Sequence, residues 1–296
     1  MRHFTLTAIA ALSVGFAAQA AEVTVATAQG EQTVETLPDT LVVYDLAAMD
    51  SLNALGVTPD GGPDNLRLDS LEGLEVEAVG TLFEPDLEAL AGMEPDLIIV
   101  GGRSQAQAET VAEIAPTLDM TLGEDLITDA KARITAYGTL FERETEAEEL
   151  NAALDEKVAA VQAAAEGKGT ALVVLTNGPK ISGYGPGSRF GWIYDVTGMD
   201  AAIEDFDPEA GHGNAMSHEL IAEANPDWLF VLDRGAAIGE EGQSAAQTLD
   251  NPLVAETNAG QNDQIVYLPA GELYIGGGGY ASLTKVIDSM TAALSE

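Results

Sequence analysis

The sequence predicts an α/β protein with two three-layer lobes, each built on a mostly parallel sheet, and one long α-helix that joins them. Short apolar strands alternate with helical segments along the chain, which is typical of parallel sheets covered by helices. One pattern occurs twice, at residues 88–103 and 219–234: a glutamate, an apolar helical run, Pro-Asp, an apolar strand and an arginine. A helical segment of about 20 residues lies between the two copies. Two similar lobes with a helical connector account for this pattern.

The first lobe is expected to cover residues 21–142 and to begin with a small hairpin. The hairpin pairs residues 23–27 with the segment after Gly30. Apolar runs predict strands at 41–45, 74–79 and 97–100, and helical spacing predicts helices at 48–55, 86–93, 106–114 and 129–141. These strands should form a parallel sheet with helices packed on it.

The connecting helix is predicted at residues 145–165, within a linker that spans 143–167. Thr145 and Glu148 have the spacing of a capping box, and Gly167 stands where a C-terminal cap belongs. Four apolar side chains repeat at helical spacing between them: Leu150, Leu154, Val158 and Val161. Such a helix is roughly 30 Å long, and it makes a stiff connector.

The second lobe is expected to cover residues 168–296 and to repeat the architecture of the first. Apolar runs predict strands at 171–175, 228–232 and 264–268. Three helices are predicted. The first covers 188–196, the second begins directly after an N-cap at Ser217, and the third is an amphipathic helix at 282–294, near the end of the chain.

Composition excludes several classes of function. The chain has 12 Lys+Arg against 49 Asp+Glu, a net charge of −37, so neither nucleic acid nor an anionic lipid surface is an expected partner. The acidity itself is explained by a solvated, self-repelling surface. There is no cysteine, which excludes disulfides, a thiolate nucleophile and a lipid-modified N-terminal cysteine.

Residues 1–20 have the features of an export signal. Arg2 and His3 form a weakly basic start, residues 4–18 are mostly apolar but too short to span a bilayer, and Ala18-Gln19-Ala20 offers a small-x-small cleavage pattern. The mature protein is therefore expected to be exported and soluble. The alternatives are a buried N-terminal helix or an uncleaved anchor.

Three of the seven arginines follow strands, in the loops where open α/β sheets bind ligands: Arg103, Arg189 and Arg234. A guanidinium binds oxyanions through paired hydrogen bonds and keeps its charge at any working pH, so the ligand is expected to be anionic. The alternative for Arg189 is a solvated side chain in an ordinary turn, with Ser188 as a helix N-cap.

His212 and Tyr274 are the other candidate ligand contacts. His212 lies between Gly211 and Gly213, which favours an exposed imidazole over a core position, whereas His218 follows an N-cap and is expected to be a solvated first-turn residue. Tyr274 precedes the glycine run 276–279, which lacks the pattern of a nucleotide-binding loop. The alternative to a ligand contact is that this run is a mobile loop. No nucleophile elbow and no His-Glu-x-x-His zinc motif occurs, so we do not expect an enzyme.

With these residues in view, the chain resembles the substrate-binding proteins of iron-uptake ABC transporters, and within them the enterochelin-type binders of ferric catecholate siderophores. The most specific segments are Gly185-Pro-Gly-Ser-Arg-Phe-Gly191, Gly211-His-Gly213, Val231-Leu-Asp-Arg234 and Tyr274. The resemblance implies the class III periplasmic binding protein fold. It also implies a monomer in the periplasm, with no intrinsic cofactor and with Fe(III) bound only as a siderophore complex.

The same resemblance implies roles for individual residues. Arg103, Arg189 and Arg234 would face the catecholate oxygens, and His212 and Tyr274 would complete the coordination of iron. Glu88 and Glu219 would dock onto an inner-membrane ABC permease, unless they are simply first-turn acids that favour their helices.

Other readings of the chain remain open at this point. The cargo could be haem or a ferric hydroxamate. The chain could also be an exported α/β enzyme, or an adhesion module without a small ligand.

Overall fold

Alternating strands and helices produce two large sheets, and an entry hairpin forms a third, two-stranded sheet, in residues 21–296, the part of the chain that the computed structural model describes. The predicted signal peptide, residues 1–20, lies outside the described residues. The entry hairpin forms as predicted, from β1 (Glu22–Thr27) and β2 (Gly30–Glu35) paired antiparallel.

The first sheet has five parallel strands in the order β5-β4-β3-β6-β7. Its strands are β3 (Leu41–Val43), β4 (Gly61–Gly62), β5 (Glu77–Ala78), β6 (Leu97–Val100) and β7 (Thr117–Asp119). Strand β6 has the predicted bounds because all four of its residues are apolar and buried. The strand predicted at 74–79 is reduced to two exposed residues, and β4 and β7 were not predicted.

The second sheet has the order β11-β9-β8-β12-β13, with β10 also paired to β8. Its strands are β8 (Thr170–Asn177), β9 (Lys180–Tyr184), β10 (Asp200–Ala201), β11 (Asn214–Met216), β12 (Trp228–Asp233) and β13 (Ile265–Tyr267). Strands β9 and β11 are antiparallel to their neighbours, and the others pair in parallel, so the sheet is mostly parallel as expected.

Helices cover the two sheets and connect their strands. In the first lobe and the connector they are α1 (Leu46–Ala54), α2 (Leu87–Gly92), α3 (Ala108–Val111), α4 (Leu126–Leu140) and α5 (Glu144–Ala165). In the second lobe they are α6 (Trp192–Thr197), α7 (His218–Ala224), α8 (Arg234–Ile238), α9 (Ala245–Leu249), α10 (Pro252–Ala255), α11 (Asn258–Gln261), α12 (Ala270–Tyr274) and α13 (Tyr280–Leu294). Within residues 21–296, no helix is long and apolar enough to cross a membrane.

Helix α5 is the long connector, and it packs into the cores of both lobes. Ala147 near its start lies in the core of the first lobe, whereas Leu154 and Val161 are fully buried in the core of the second. Burying one leucine side chain stabilises a fold by about 1.5–3 kcal/mol, so these contacts hold the connector to both lobes. Gly167, just beyond the helix, has a φ of 72°, which is the left-handed geometry of the predicted C-terminal end.

Three local predictions were wrong. The capping box of Thr145 and Glu148 does not form, because the helix begins one residue earlier, after Arg143, and Thr145 lies inside it. Ser188 does not cap a helix, because its hydroxyl donates to the Gly185 carbonyl 2.6 Å away and α6 begins only at Trp192. The helix predicted at 106–114 shortens to α3 and a preceding 3-10 turn.

The chain's last helix, α13, ties the second lobe back to the first. The amide of Ser282 donates to Oδ2 of Asp50 on α1 at 2.8 Å, and the amide of Tyr280 donates to the Ser51 hydroxyl at 3.1 Å. The approach is so close that a Cβ on Gly279 would lie 2.3 Å from Asp50 Oδ2. The glycine run 276–279 is therefore packed against the first lobe rather than mobile.

Asp50 is fully buried in this junction. Its other oxygen, Oδ1, has no hydrogen-bond partner among the described residues. Burial raises the pKa of the Asp50 carboxyl, and the hydrogen bond from Ser282 offsets this only partly. The folded state therefore binds this proton more tightly than the unfolded state does, so the ionised carboxylate weakens the junction as the pH rises through the folded pKa.

We expect Asp50→Asn to unfold at a higher urea concentration than the wild type at about pH 8, with the difference shrinking towards about pH 5. The asparagine keeps an oxygen for the Ser282 amide and removes the buried charge. Asp50→Ala should instead lose about 1–3 kcal/mol, because the Ser282 amide is left without a partner. Asp39→Asn, at an exposed position, serves as the control. A wild type at least as stable as Asp50→Asn at the higher pH would contradict this account.

Candidate functional site

Loops from both lobes enclose a cavity of about 360 Å³. The first lobe contributes the segments that follow β3, β6 and β7, and the second lobe contributes the loop after β9 and helix α12. The three segments of the first lobe follow the carboxyl ends of parallel strands, where open α/β sheets bind ligands. The wall is partly aromatic: Tyr44, Phe190 and Trp192 lie in it.

Tyr274, the last residue of α12, is the centre of the site. The guanidinium of Arg103 donates to the Tyr274 carbonyl oxygen at 2.7 Å, and that of Arg189 donates to the same oxygen at 2.8 Å. Nε of Arg234 lies 3.3 Å from the Tyr274 hydroxyl oxygen and donates to it. Arg103 comes from the first lobe and the other two arginines from the second, so one tyrosine connects cations from both lobes.

The same three guanidinium groups lie against the aromatic ring of Tyr274. Their central carbons are 4.6 Å (Arg189), 4.8 Å (Arg103) and 5.9 Å (Arg234) from the ring centroid. At such distances the negative face of an aromatic ring attracts a cation by about 0.5–2 kcal/mol. This attraction offsets part of the repulsion among three like charges.

The charges shift the pKa values of the site. Burial alone would raise the pKa of the Tyr274 phenol, but the hydrogen bond from Arg234 and the charges of Arg189 and Arg103 outweigh it and lower that pKa below 10.0. Burial and the neighbouring charge of Arg189 lower the pKa of Arg103. The charges of neighbouring arginines contribute to both shifts, and this local excess of positive charge favours an anion.

Carboxylates neutralise little of this charge. Arg234 contacts Glu240 at 3.4 Å, but no carboxylate of residues 21–296 lies within 4 Å of a nitrogen of Arg103 or Arg189. Asp45 and Glu124 do line the cavity. However, Asp45 accepts a hydrogen bond from the Ala47 amide at 2.8 Å and caps helix α1.

A second cavity, of about 320 Å³, adjoins the first and shares Arg103 and Tyr274 with it. Arg234 and a fourth arginine, Arg67, also line it. Arg67 is not among the predicted site residues, because it lies between the two-residue strand β4 and a 3-10 turn (Asp69–Leu71), where no strand motif marks the end of a sheet. The one sequence feature that pointed to Arg67 was that positively charged residues are scarce in this chain.

The structure does not bring His212 to Tyr274. His212 is exposed, in the turn that precedes β11, and it does not line either of the two cavities. Its turn does adjoin the loop that carries Arg189, because a Cβ on Gly187 would contact Pro208 at 3.6 Å. The predicted role of His212 as an iron ligand therefore stays a prediction. His218 is half-buried, and its Nε2 lies 2.8 Å from the Thr248 carbonyl oxygen, so it is a packed residue rather than a solvated one.

Glu88 and Glu219 lie apart from the arginines. Both are exposed in the first turn of a short helix, α2 and α7 respectively. The hydroxyl of Ser217 caps α7, as predicted. Neither glutamate lines one of the two cavities, so a role in ligand binding is not indicated.

The sequence and the fold are similar to known binding proteins. Residues 41–271 match the periplasmic binding protein family. The petrobactin-binding protein YclQ of Bacillus subtilis is 34% identical over 88% of this chain and 83% of its own length, and its crystal structure superposes with a TM-score of 0.86 over 93% and 99% of the two chains.

Two proteins of Vibrio species are also similar. The ferric-anguibactin-binding protein FatB of Vibrio anguillarum is 29% identical over 88% of this chain and 84% of its own. The periplasmic catecholate-siderophore binding protein VctP of Vibrio cholerae is 27% identical, with a TM-score of 0.83 over 92% of this chain and all of its own (100%).

The tyrosine pKa provides a test of the electrostatics. We expect Tyr274 to ionise below 10.0, because cations favour the phenolate. The ultraviolet difference spectrum between the wild type and Tyr274→Phe, followed against pH, isolates this group. Arg234→Gln should move the titration upwards.

Tyr267 supplies a matched control for this titration, since burial raises the pKa of Tyr267 and Tyr267→Phe should remove a transition at higher pH. The account fails if Tyr274 ionises at or above the pH at which Tyr267 does.

Proposed function

Because this chain belongs to the periplasmic binding protein family, we propose that it captures an anionic ferric siderophore of the catecholate class between its lobes and delivers it to an inner-membrane ABC permease. One observation carries this proposal. Three guanidinium groups surround Tyr274 in a chain of net charge −37, and two of them have no carboxylate partner within residues 21–296. Such a site costs electrostatic energy unless an anion binds there.

The proteins similar to this chain support the choice of cargo. Their names assign them petrobactin, ferric anguibactin and catecholate siderophores. The family consists of binding proteins, which agrees with the expectation that the chain is not an enzyme.

The charge of the cargo favours a catecholate over a hydroxamate. A ferric complex of two catecholates is anionic, whereas three hydroxamates neutralise Fe(III). The guanidinium groups of Arg103, Arg189 and Arg234 would donate to the catecholate oxygens, and such charged pairs form strong, directional hydrogen bonds. A site with three cations therefore discriminates in favour of the catecholate complex.

Tyr274 is proposed as a protein ligand to the iron of a complex that leaves coordination sites open. Fe(III) is a hard ion that prefers oxygen donors, and the lowered pKa of the Tyr274 phenol makes its deprotonation easier. His212 is proposed as the second protein donor. Its exposed turn would have to move towards the cavity, next to the loop that carries Arg189.

Docking and localisation complete the proposal. Glu88 and Glu219 are proposed to bind basic residues of the permease, one from each lobe, since both carboxylates are exposed and outside the cavities. The family acts outside the cytoplasm. Cleavage after Ala20 would release a periplasmic protein without a lipid anchor, because the chain contains no cysteine to modify.

Titration of the purified mature protein with a ferric bis-catecholate tests this function. We expect quenching of tryptophan fluorescence, since Trp192 lines the cavity. Arg189→Gln and Tyr274→Phe should each weaken binding by roughly tenfold to hundredfold, the effect of losing one charged or metal-binding contact.

Arg143→Gln is the matched control, because Arg143 is exposed and lies outside both cavities. Absence of binding by the wild type would reject the proposed function. Equal affinities for the wild type and Arg189→Gln would instead reassign that arginine to a structural role.

A further inference from the structure

The fourth arginine of the cleft, Arg67, crosses from one lobe to the other. It belongs to the first lobe, between β4 and the 3-10 turn, yet its Nη1 donates to the carbonyl oxygen of Ile238 at 2.5 Å. Ile238 is the last residue of α8, the helix that begins with Arg234. A single hydrogen bond thus links the first lobe to the helix that holds one of the three arginines around Tyr274.

The end of α8 is shaped to receive this guanidinium. Gly239 follows the helix with a φ of 66°, and a Cβ at this position would lie 2.0 Å from Nη1 of Arg67. The last carbonyls of a helix lack partners within the helix and carry partial negative charge, so a cation that donates to one of them is favourable. Both the left-handed backbone and the missing side chain of Gly239 are needed for this contact.

Arg67 also lines the second cavity, whose wall contains both charged and apolar residues. Arg103 and Tyr274 line both cavities, as do Leu46, Leu82 and Ile275, whereas Arg234 lines only the second. The wall that belongs to the second cavity alone combines three apolar residues, Pro63, Phe83 and Ile238, with three polar ones, Asp64, Asn65 and Thr81. Phe83 is 55% exposed, so its ring is accessible to a molecule that enters the cavity.

The lining residues and the volume of the second cavity indicate the kind of chemical group that it binds. A volume of about 320 Å³ is at the small end of ligand pockets, which span about 300–1,000 Å³. It suits one aromatic ring with a short spacer, with its oxyanion towards Tyr274 and its apolar part against Phe83. A longer arm would meet the bridge between Arg67 and Ile238.

We propose that Arg67 is a specificity-determining residue: its bond to Ile238 forms part of the wall of the second cavity and limits the length of the ligand arm that fits there. The proposal rests on the proposed function, since it assumes a ferric complex with at least one such arm. Because the bond joins the two lobes, it also slows their opening and hence the release of a ligand that fits.

Two ferric complexes test the proposal. One is a bis-catecholate with a short spacer, and the other carries a bulky extension on one arm. For Arg67→Ala we expect the short complex to dissociate roughly tenfold faster in stopped-flow fluorescence, the effect of one lost charged hydrogen bond. The affinity of Arg67→Ala for the extended complex, divided by its affinity for the short complex, should exceed the wild-type ratio by a similar factor.

Two further variants distinguish a change in ligand specificity from a general effect of the substitution on the structure. Arg67→Lys retains a cation that can donate to Ile238, so it should restore most of the wild-type preference, whereas Arg143→Ala should leave the preference unchanged. A change of the same factor for both complexes in Arg67→Ala, or no change for either, would overturn the proposal.

Hydrogen exchange without ligand separates this inference from the proposed function. The amide of Glu240 donates to the Gly235 carbonyl at 2.9 Å, and that of Gly239 donates to the Ala236 carbonyl at 3.3 Å. Both amides should exchange faster in Arg67→Ala than in Arg143→Ala. If the wild type bound neither complex, the proposed function would fail, whereas unchanged exchange at these amides would overturn the Arg67 bridge itself.

Discussion

The structure of the site depends on Tyr274, which holds three guanidinium groups close to one another. Its carbonyl oxygen accepts hydrogen bonds from Arg103 and Arg189, its hydroxyl accepts one from Arg234, and its ring faces all three. These contacts offset the mutual repulsion of the cations without neutralising them. The excess positive charge lowers the pKa of the tyrosine and makes the cleft attractive to an anion, although the protein as a whole is strongly acidic.

The position of Tyr274 is in turn set by the segment that follows it. The glycine run packs on the first lobe, where a Cβ on Gly278 would lie 2.1 Å from a methyl group of Leu122. Helix α13 then bonds to Asp50 and Ser51 of α1. With α5 buried in both cores and Arg67 bound to Ile238, these contacts connect the lobes at several separate points. Small changes in lobe orientation therefore alter the geometry around Tyr274.

Local pattern was sufficient to predict the parts of the fold that bury continuous apolar runs. Strand β6 has the predicted bounds, and β12 differs by one residue, so Arg103 and Arg234 were placed correctly at strand ends. Strands β9 and β11 were not predicted because they contain glycine or polar residues, and β11 also pairs with a strand that is distant in sequence. The convergence of the three arginines on Tyr274, and the contact of Arg67 with the other lobe, depend on long-range packing that no local pattern encodes. The contribution of His212 stays a prediction for the same reason.

The most direct test of the central claim is a crystal structure of the protein with a ferric bis-catecholate, with anomalous scattering recorded at the iron absorption edge. The account predicts one strong anomalous peak within coordination distance of the Tyr274 hydroxyl, and catecholate oxygens within hydrogen-bond distance of Arg103, Arg189 and Arg234. Iron found away from Tyr274, or a bound complex whose oxygens contact none of these arginines, would contradict it.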